Sequence, residues 1–210
     1  FALGLHIPNR FDKILDIDEC FLQSEISNRI LNFTKQFFKE RNSSIYSTKT
    51  HTGYLRNLMI RDSKGKKSDN ENRTEIMVNI VTSESNPELM TEYADALLKK
   101  VPEVTTIVNN ITTRKSSVAI GETEEIIYGS GFIRDYIGGY EFQITANSFF
   151  QTNTQQAERL YQTALNYAEL QGDEVLYDLY SGAGTIAIFF SSYAKAIYGF
   201  EAVEESVKNA

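Results

Sequence analysis

Apolar residues along this chain recur with two periods, and the switches between them mark its elements. In Ala2 to Ile17, Leu3, Leu5 and Ile7 alternate, Pro8-Asn9 breaks the pattern, and Phe11 to Ile17 resumes it, which predicts two short strands. Leu22, Ile26, Ile30, Phe33 and Phe37 then follow at steps of four, four, three and four, one face of an amphipathic helix. Tyr54 to Arg61 and Thr74 to Val81 read as paired strands, joined by the polar stretch Asp62 to Arg73, a candidate mobile loop. Pro87, after Ser85-Asn86, opens a second helix that runs to about Lys100. Val104 to Ile111, Ser117 to Ile120, Glu125 to Tyr128 and Tyr140 to Thr145 read as further strands. Residues 1–146 are therefore expected to form an α+β domain, two helices set against an antiparallel sheet.

The pattern changes near Asn147. Gln155 to Leu170 is predicted helical, with Leu160, Ala164, Leu165 and Ala168 facing inward. Glu174 to Tyr180 reads as a strand, followed by a glycine turn, a helix from Thr185, a strand Ala196 to Phe200 and a helix start at Val203. That order is the first βαβ unit of a doubly wound, Rossmann-like sheet, assigned to residues 147–210. The chain opens on Phe1 and stops soon after the second strand of that unit, so a fragment of a longer protein is the expectation.

Composition adds limits. With 41% hydrophobic and 23% charged residues the chain is ordinary for a globular protein. Its longest apolar runs, such as Ile186 to Phe190, fall far short of the roughly 20 residues a membrane helix needs. No membrane partner is expected. The single cysteine, Cys20, excludes an internal disulfide and suits a reducing, cytoplasmic setting.

The net charge of −7 is unevenly spread. Residues 120–210 hold four Lys/Arg against thirteen Asp/Glu, whereas residues 1–119 hold 17 against 15. Between Lys49 and Lys67, Arg56, Arg61, Lys64, Lys66 and Lys67 stand against Asp62 alone. Such a stretch can attract phosphate even on an acidic protein, although a solvated hairpin and its loop account for the same charges.

The strongest chemical signal is Asp178-Leu179-Tyr180-Ser181-Gly182-Ala183-Gly184-Thr185, with Glu201 at the end of the next strand. Glycines let the backbone turn tightly and approach a ligand, and the following helix start points N–H groups toward it. An acid at Glu201 is placed to hold both hydroxyls of a ribose, which indicates an adenosine-containing cofactor. Gly182, Gly184 and Ala187 also fit the G-x-G-x-x-A dinucleotide pattern, so NAD is a rival. Asp178 speaks against it, because a carboxylate there would repel a pyrophosphate. The same carboxylate suits the amino group and sulfonium of S-adenosylmethionine. A second signal is Asn147-Ser148-Phe149-Phe150-Gln151-Thr152-Asn153, whose neutral amides can bind a base edge or a cofactor, or simply cap the next helix.

In this order the two signals resemble the RNA uracil-5-methyltransferases. That family carries F-x-Q-x-N about 25 residues before D-L-[FY]-C-G-x-G-[TN], then G-x-E at the second strand. The matching residues are Phe149 to Asn153, Asp178 to Thr185, and Gly199-Phe200-Glu201. The opening LGLHIPNRFDKILDIDECFLQ is similar to the family's segment as well, so the likeness spans nearly the whole chain.

The resemblance implies S-adenosyl-L-methionine as cofactor and carbon 5 of a uridine in RNA as target. Gln151 would contact the cofactor near the base, Tyr180 and Thr185 would line its site, Glu201 would bind its ribose, and Gly182 and Gly184 would give clearance. Ser181 stands where the family usually has Cys. The family's thiolate nucleophile and its proton-abstracting base lie downstream of the second strand, so no catalytic residue is expected within this chain. Cys20 matches the last of four cysteines that hold an iron–sulfur cluster in some members. The other three are absent here, so no cluster is expected and Cys20 should be a small buried apolar residue. Because cluster-bearing members act on ribosomal RNA, 23S ribosomal RNA is expected ahead of transfer RNA. A methyltransferase for a non-RNA substrate and a non-catalytic interaction module are the alternatives.

Overall fold

The computed structural model describes residues 1–64, 74–115, 119–202, 204 and 207, with only the backbone of Phe11 and Asp12. The chain divides into two compact units, one formed by residues 1–62 and 75–132, the other by residues 63–74 and 133–210.

The first unit opens with the antiparallel hairpin β1 (Gly4–Ile7) and β2 (Arg10–Asp16), which turns at Asn9 in the left-handed region. Helix α1 (Glu25–Glu40) follows, capped by the Ser24 hydroxyl on the Ser27 N–H. The cap lies two residues beyond Leu22, which is therefore outside the helix and 92% exposed rather than part of its stripe. The remainder of the stripe packs inward, with Ile30 and Phe37 buried and Ile26 and Phe33 against the core. Lys35 ties the hairpin down, donating to the Ile17 carbonyl at 2.7 Å and to the carboxylates of Asp16 and Asp18.

The sheet runs in the order β3 (Leu55–Asp62), β4 (Ile76–Thr82), β5 (Thr106–Ile111), β6 (Thr123–Tyr128). It is mixed, not antiparallel as the pattern suggests. Helix α2 (Pro87–Lys100) carries the chain across one face, so β5 lies parallel to β4, with antiparallel strands on either side. A crossover helix permits that pairing, where a tight hairpin would have forced an antiparallel one. Ile76, Val78, Ile80 and Ile107 face the helices and join Ile30, Phe38, Met90, Tyr93 and Leu97 in one core. The Tyr93 ring stacks on Phe38 with centroids 5.2 Å apart, and its hydroxyl meets Thr34 at 2.7 Å. Ala119 and Ile120 form no strand, and the rest of the Ser117–Ile120 reading lies outside the described residues, as does most of the Asp62–Arg73 loop.

The second unit contains the hairpin of β7 (Phe132–Ile137) and β8 (Tyr140–Thr145). Gly138 and Gly139, with φ of 60° and 81°, form its two-residue turn. Helix α3 (Thr154–Ala168) buries Thr154, Ala157, Tyr161 and Leu165. Leu165 faces inward as predicted, but Leu160, Ala164 and Ala168 are exposed. The buried stripe begins at Thr154, and its steps of three, four and four leave Leu160 on the outer side. Strands β9 (Val175–Leu179) and β10 (Ala196–Phe200) pair in parallel, joined by the short helix α4 (Thr185–Phe190) and a 3₁₀ turn at Ser191–Tyr193. Tyr177, Leu179, Tyr198 and Phe200 are exposed on this ribbon. Glu204 and Val207 are helical, whereas Val203 lies outside the described residues. No helix among the described residues is long and apolar enough to cross a membrane.

Candidate functional site

Parallel register places Asp178 beside Gly199 and Leu179 beside Phe200, so both strands end together where the glycine loop begins. The loop leaves β9 through Tyr180, whose φ of 63° is left-handed and whose side chain is 92% exposed. A non-glycine residue in that region stores strain, of order 1–3 kcal/mol, and such residues cluster at functional sites. Gly182 and Gly184 continue with φ of 56° and 71°. Open space lies where a Cβ on Gly182 would project. The turn is closed by the Gly184 N–H on the Ser181 carbonyl at 2.8 Å and the Ser181 N–H on the Phe200 carbonyl at 3.1 Å. The Ser181 hydroxyl lies beneath Gly199, where a Cβ would meet its oxygen at 3.0 Å.

Two carboxylates converge on this loop. Glu201 accepts the Gly182 N–H at 2.9 Å through one oxygen and the Ala202 N–H at 2.8 Å through the other. Asp178 accepts the Ala187 N–H at 3.2 Å, in the first turn of α4. Burial pushes the Asp178 carboxyl above its usual range, and the Ala187 N–H partly offsets this. The N–H of Gly182, which a dinucleotide site would turn toward a phosphate, is already engaged by an anion. The loop is thus suited to a ligand that brings positive charge. Thr185, at the start of α4, shares a hydrogen bond with Tyr161 at 3.0 Å, which fixes α4 against α3.

The Gln151 element leads into α3. Phe150 is buried against Phe142, with centroids 5.6 Å apart, while Phe149, Gln151 and Thr152 face solvent. Asn153 caps the helix through the Gln156 N–H at 3.1 Å. Capping accounts for Asn153 but leaves Gln151 exposed.

The cationic residues have different surroundings. Arg56, at a bulge in β3, donates to the carbonyls of Thr112 and Arg114 at 3.0 and 2.7 Å and lies 4.0 Å from the Tyr46 ring centroid. Arg61, at the far end of β3, is half-buried, and burial lowers the affinity of its guanidinium for a proton. Lys64 is exposed, and its backbone N–H donates to Asp135. Lys66 and Lys67 lie outside the described residues. Cys20 is half-buried, not fully buried as expected. The Asn28 side chain clamps its backbone on both sides, which leaves the Cys20 segment at the surface. Among the described residues no group of three or more His, Cys, Asp or Glu is placed to hold a metal.

The pattern of the sequence missed Asp135. It sits 3% exposed on the inward face of β7, where it accepts from Thr154, the Tyr136 N–H and the Lys64 N–H. A signal was present in Ile133-x-Asp135-x-Ile137, an inward alternation with a carboxylate in its middle position.

This chain is similar to bacterial proteins named RNA methyltransferases. An uncharacterized RNA methyltransferase of Chlorobaculum tepidum is 44% identical over 211 residues, which covers 100% of this chain and 42% of the relative. One from Clostridium tetani is 38% identical over 209 residues, covering 99% of this chain and 44% of the relative. The chain thus spans less than half the length of these curated relatives. Among solved structures, Pyrococcus abyssi tRNA (uracil-54, C5)-methyltransferase in complex with S-adenosyl-L-homocysteine aligns at a TM-score of 0.74 and 29% identity. That alignment covers 98% of this chain and 48% of the other. No protein-family model matches the chain. The mixed α/β architecture with a central sheet is therefore one shared with an S-adenosylhomocysteine-bound methyltransferase.

Proposed function

We propose that this chain is part of an enzyme that methylates carbon 5 of a uridine in RNA with S-adenosyl-L-methionine. Residues 147–210 would begin its Rossmann-like cofactor domain, and residues 1–146 would form an α+β domain that helps to grip RNA. What carries the reading is the acid-lined glycine loop of Asp178, Gly182 and Glu201, within a fold similar to a tRNA uracil-5-methyltransferase over 98% of the chain.

The roles follow from the chemistry of the loop. When bound, the cofactor supplies an electrophilic methyl group on a cationic sulfur. Glu201, held by two backbone N–H groups, would present its carboxylate to the ribose hydroxyls. Asp178 would face the cationic end of the ligand, which returns stabilisation to a carboxylate that burial disfavours. Gly182 and Gly184 would admit the ligand close to the backbone, and Thr185 and the exposed Tyr180 would line its site. Gln151 would hydrogen-bond cofactor and base without adding charge. The nucleophile and the proton-abstracting base are assigned to no residue of this chain. Arg56, Arg61, Lys64, Lys66 and Lys67 would contribute positive potential toward RNA. Ribosomal RNA is placed ahead of transfer RNA on the strength of the Cys20 segment.

The test is methyl transfer from labelled S-adenosylmethionine to uridine-containing RNA by the full-length protein carrying this chain. The expected product is 5-methyluridine, lost with Glu201→Ala. Label in protein or small molecules, with none in RNA, would overturn the reading.

A further inference from the structure

A cavity of about 570 Å³ opens in the first unit, away from the glycine loop in sequence. Leu3, Leu5 and Ile14 of the N-terminal hairpin form one wall, and the loop Ile45 to Lys49 with β3 forms the other. Buried Phe38, Leu55 and Ile80 line its depth. Its size falls within the roughly 300–1,000 Å³ of small-ligand sites.

The charge around this cavity is selective. Its charged lining residues are Lys49 and Arg56, with His6 beside them, and no Asp or Glu lines it among the described residues. In a chain of net charge −7, that is a local inversion of sign. The Arg56 charge is also fixed, because two carbonyls hold its guanidinium and the Tyr46 ring lies against it. Tyr46 is steadied in turn through its hydroxyl and the His51 ring, 3.2 Å apart. The loop carrying them closes at Gly53, where a Cβ would lie 2.2 Å from the Ile45 carbonyl oxygen, so only glycine fits. Hydroxyls of Ser47 and Thr48 and the amide of Asn57 complete the mouth.

An apolar interior beneath a cationic rim, with Arg56 held in place, matches a ligand with a flat ring and an attached anion. We propose that this cavity receives one unpaired nucleotide of an RNA strand, its base toward Phe38, Leu55 and Ile80 and its phosphate at Lys49 and Arg56. The inference rests on the RNA reading above and adds to it a second nucleotide-binding site, in the N-terminal half of the chain. Base stacking and apolar contact supply affinity with little dependence on salt, whereas the phosphate contact supplies the salt-dependent part.

The two parts can be separated by experiment. Binding of a fluorescein-labelled uridine hexanucleotide to the 210-residue chain is measured by anisotropy at several salt concentrations. Thr48 is exposed, so Thr48→Trp fills the mouth without disturbing the core. It is expected to weaken binding about tenfold and leave the salt dependence unchanged. Lys49→Gln is expected to weaken binding about threefold and to reduce the slope of log K against log salt by about 0.7. A photo-crosslink from 4-thiouridine should map to residues 45–58. Unchanged binding by both variants, crosslinks confined to other segments, or no hexanucleotide binding at all would overturn the proposal. Decanoate binding that Thr48→Trp abolishes, with no RNA binding, would mark a lipid site instead and overturn it as well. The outcome is distinct from that of the methyl-transfer test. Thr48-dependent RNA binding without methyl transfer sinks the enzymatic reading and leaves the cavity, and methylation unaffected by Thr48→Trp does the reverse.

Discussion

The carboxylate of Asp135 accepts the hydroxyl of Thr154 at 2.6 Å, between β7 and the first turn of α3. Thr154 directly follows Asn153, so this contact anchors the segment that carries Gln151. Asp135 also accepts two backbone N–H groups, from Tyr136 at 2.9 Å and Lys64 at 3.2 Å. Asp135→Ala leaves the buried Thr154 hydroxyl and two part-buried backbone N–H groups without their acceptor and is expected to lower stability by about 2 kcal/mol. Thr154→Val removes one donor and should cost about 1 kcal/mol. Urea unfolding monitored by circular dichroism measures both.

Gly182 separates backbone strain from ligand clearance. A Cβ there meets no protein atom, so Gly182→Ala carries only the left-handed penalty, about 1 kcal/mol of stability. If the backbone approaches the cofactor as proposed, the same methyl group weakens S-adenosylhomocysteine binding by tenfold or more. Calorimetric titration beside a thermal melt would show a large loss of affinity with a small loss of stability. Equal and small effects on both would mean that the ligand does not pass over Gly182.

Asp178 should trade stability for binding. Its proton affinity is raised by burial, so its folded-state pKa lies above its unfolded one. The stability it contributes is present at pH values below the unfolded pKa and is lost as pH rises through the folded pKa. At neutral pH the ionised carboxylate therefore works against folding. Asp178→Asn retains an acceptor for the Ala187 N–H and removes the charge. The variant is expected to melt higher than the parent at pH 7 and to lose that advantage under acid conditions. Its affinity for S-adenosylhomocysteine should fall.

Alkaline pH should destabilise the first unit. Burial pushes the Tyr54 hydroxyl up to about 12 and raises that of Tyr93. Both folded-state values exceed the unfolded value near 10, so these groups favour folding below pH 10 and lose that contribution as pH rises through the folded values. Denaturation midpoints should be flat to about pH 10 and fall steeply above it, and Tyr54→Phe should make that fall shallower.

Much of the first unit was legible in the sequence because its elements are strongly periodic and well capped. Pro87 to Lys100 is the clearest case, with Asn86 as its cap. Other features escaped for identifiable reasons. The strand Phe132–Ile137 carries Asp135 in an inward position, which breaks the apolar alternation that marks a strand. Helix α3 is amphipathic, but Tyr161 and Thr154 occupy its inner face and Leu160 the outer, so of the residues hydrophobicity selected only Leu165 faces inward. The parallel pairing of β4 and β5 depends on where α2 returns the chain, which strand patterns do not encode. At the glycine loop the order of residues was readable, and so was the acid at position 201. The grip of Glu201 on the Gly182 N–H and the left-handed Tyr180 were not, because both depend on the loop's three-dimensional path.

The crossover from β4 to β5 also governs how the first unit can assemble. Neither strand can find the other until the intervening helix has folded back, so formation of this sheet is a non-local event whose rate is set by loop closure. Tyr93 holds the returning helix in place, touching Phe33, Phe37 and Phe38 of α1 from within α2. Truncating Tyr93 would weaken the folded state, and a lowered refolding limb in a chevron plot would show that the contact between α1 and α2 is already formed at the folding barrier.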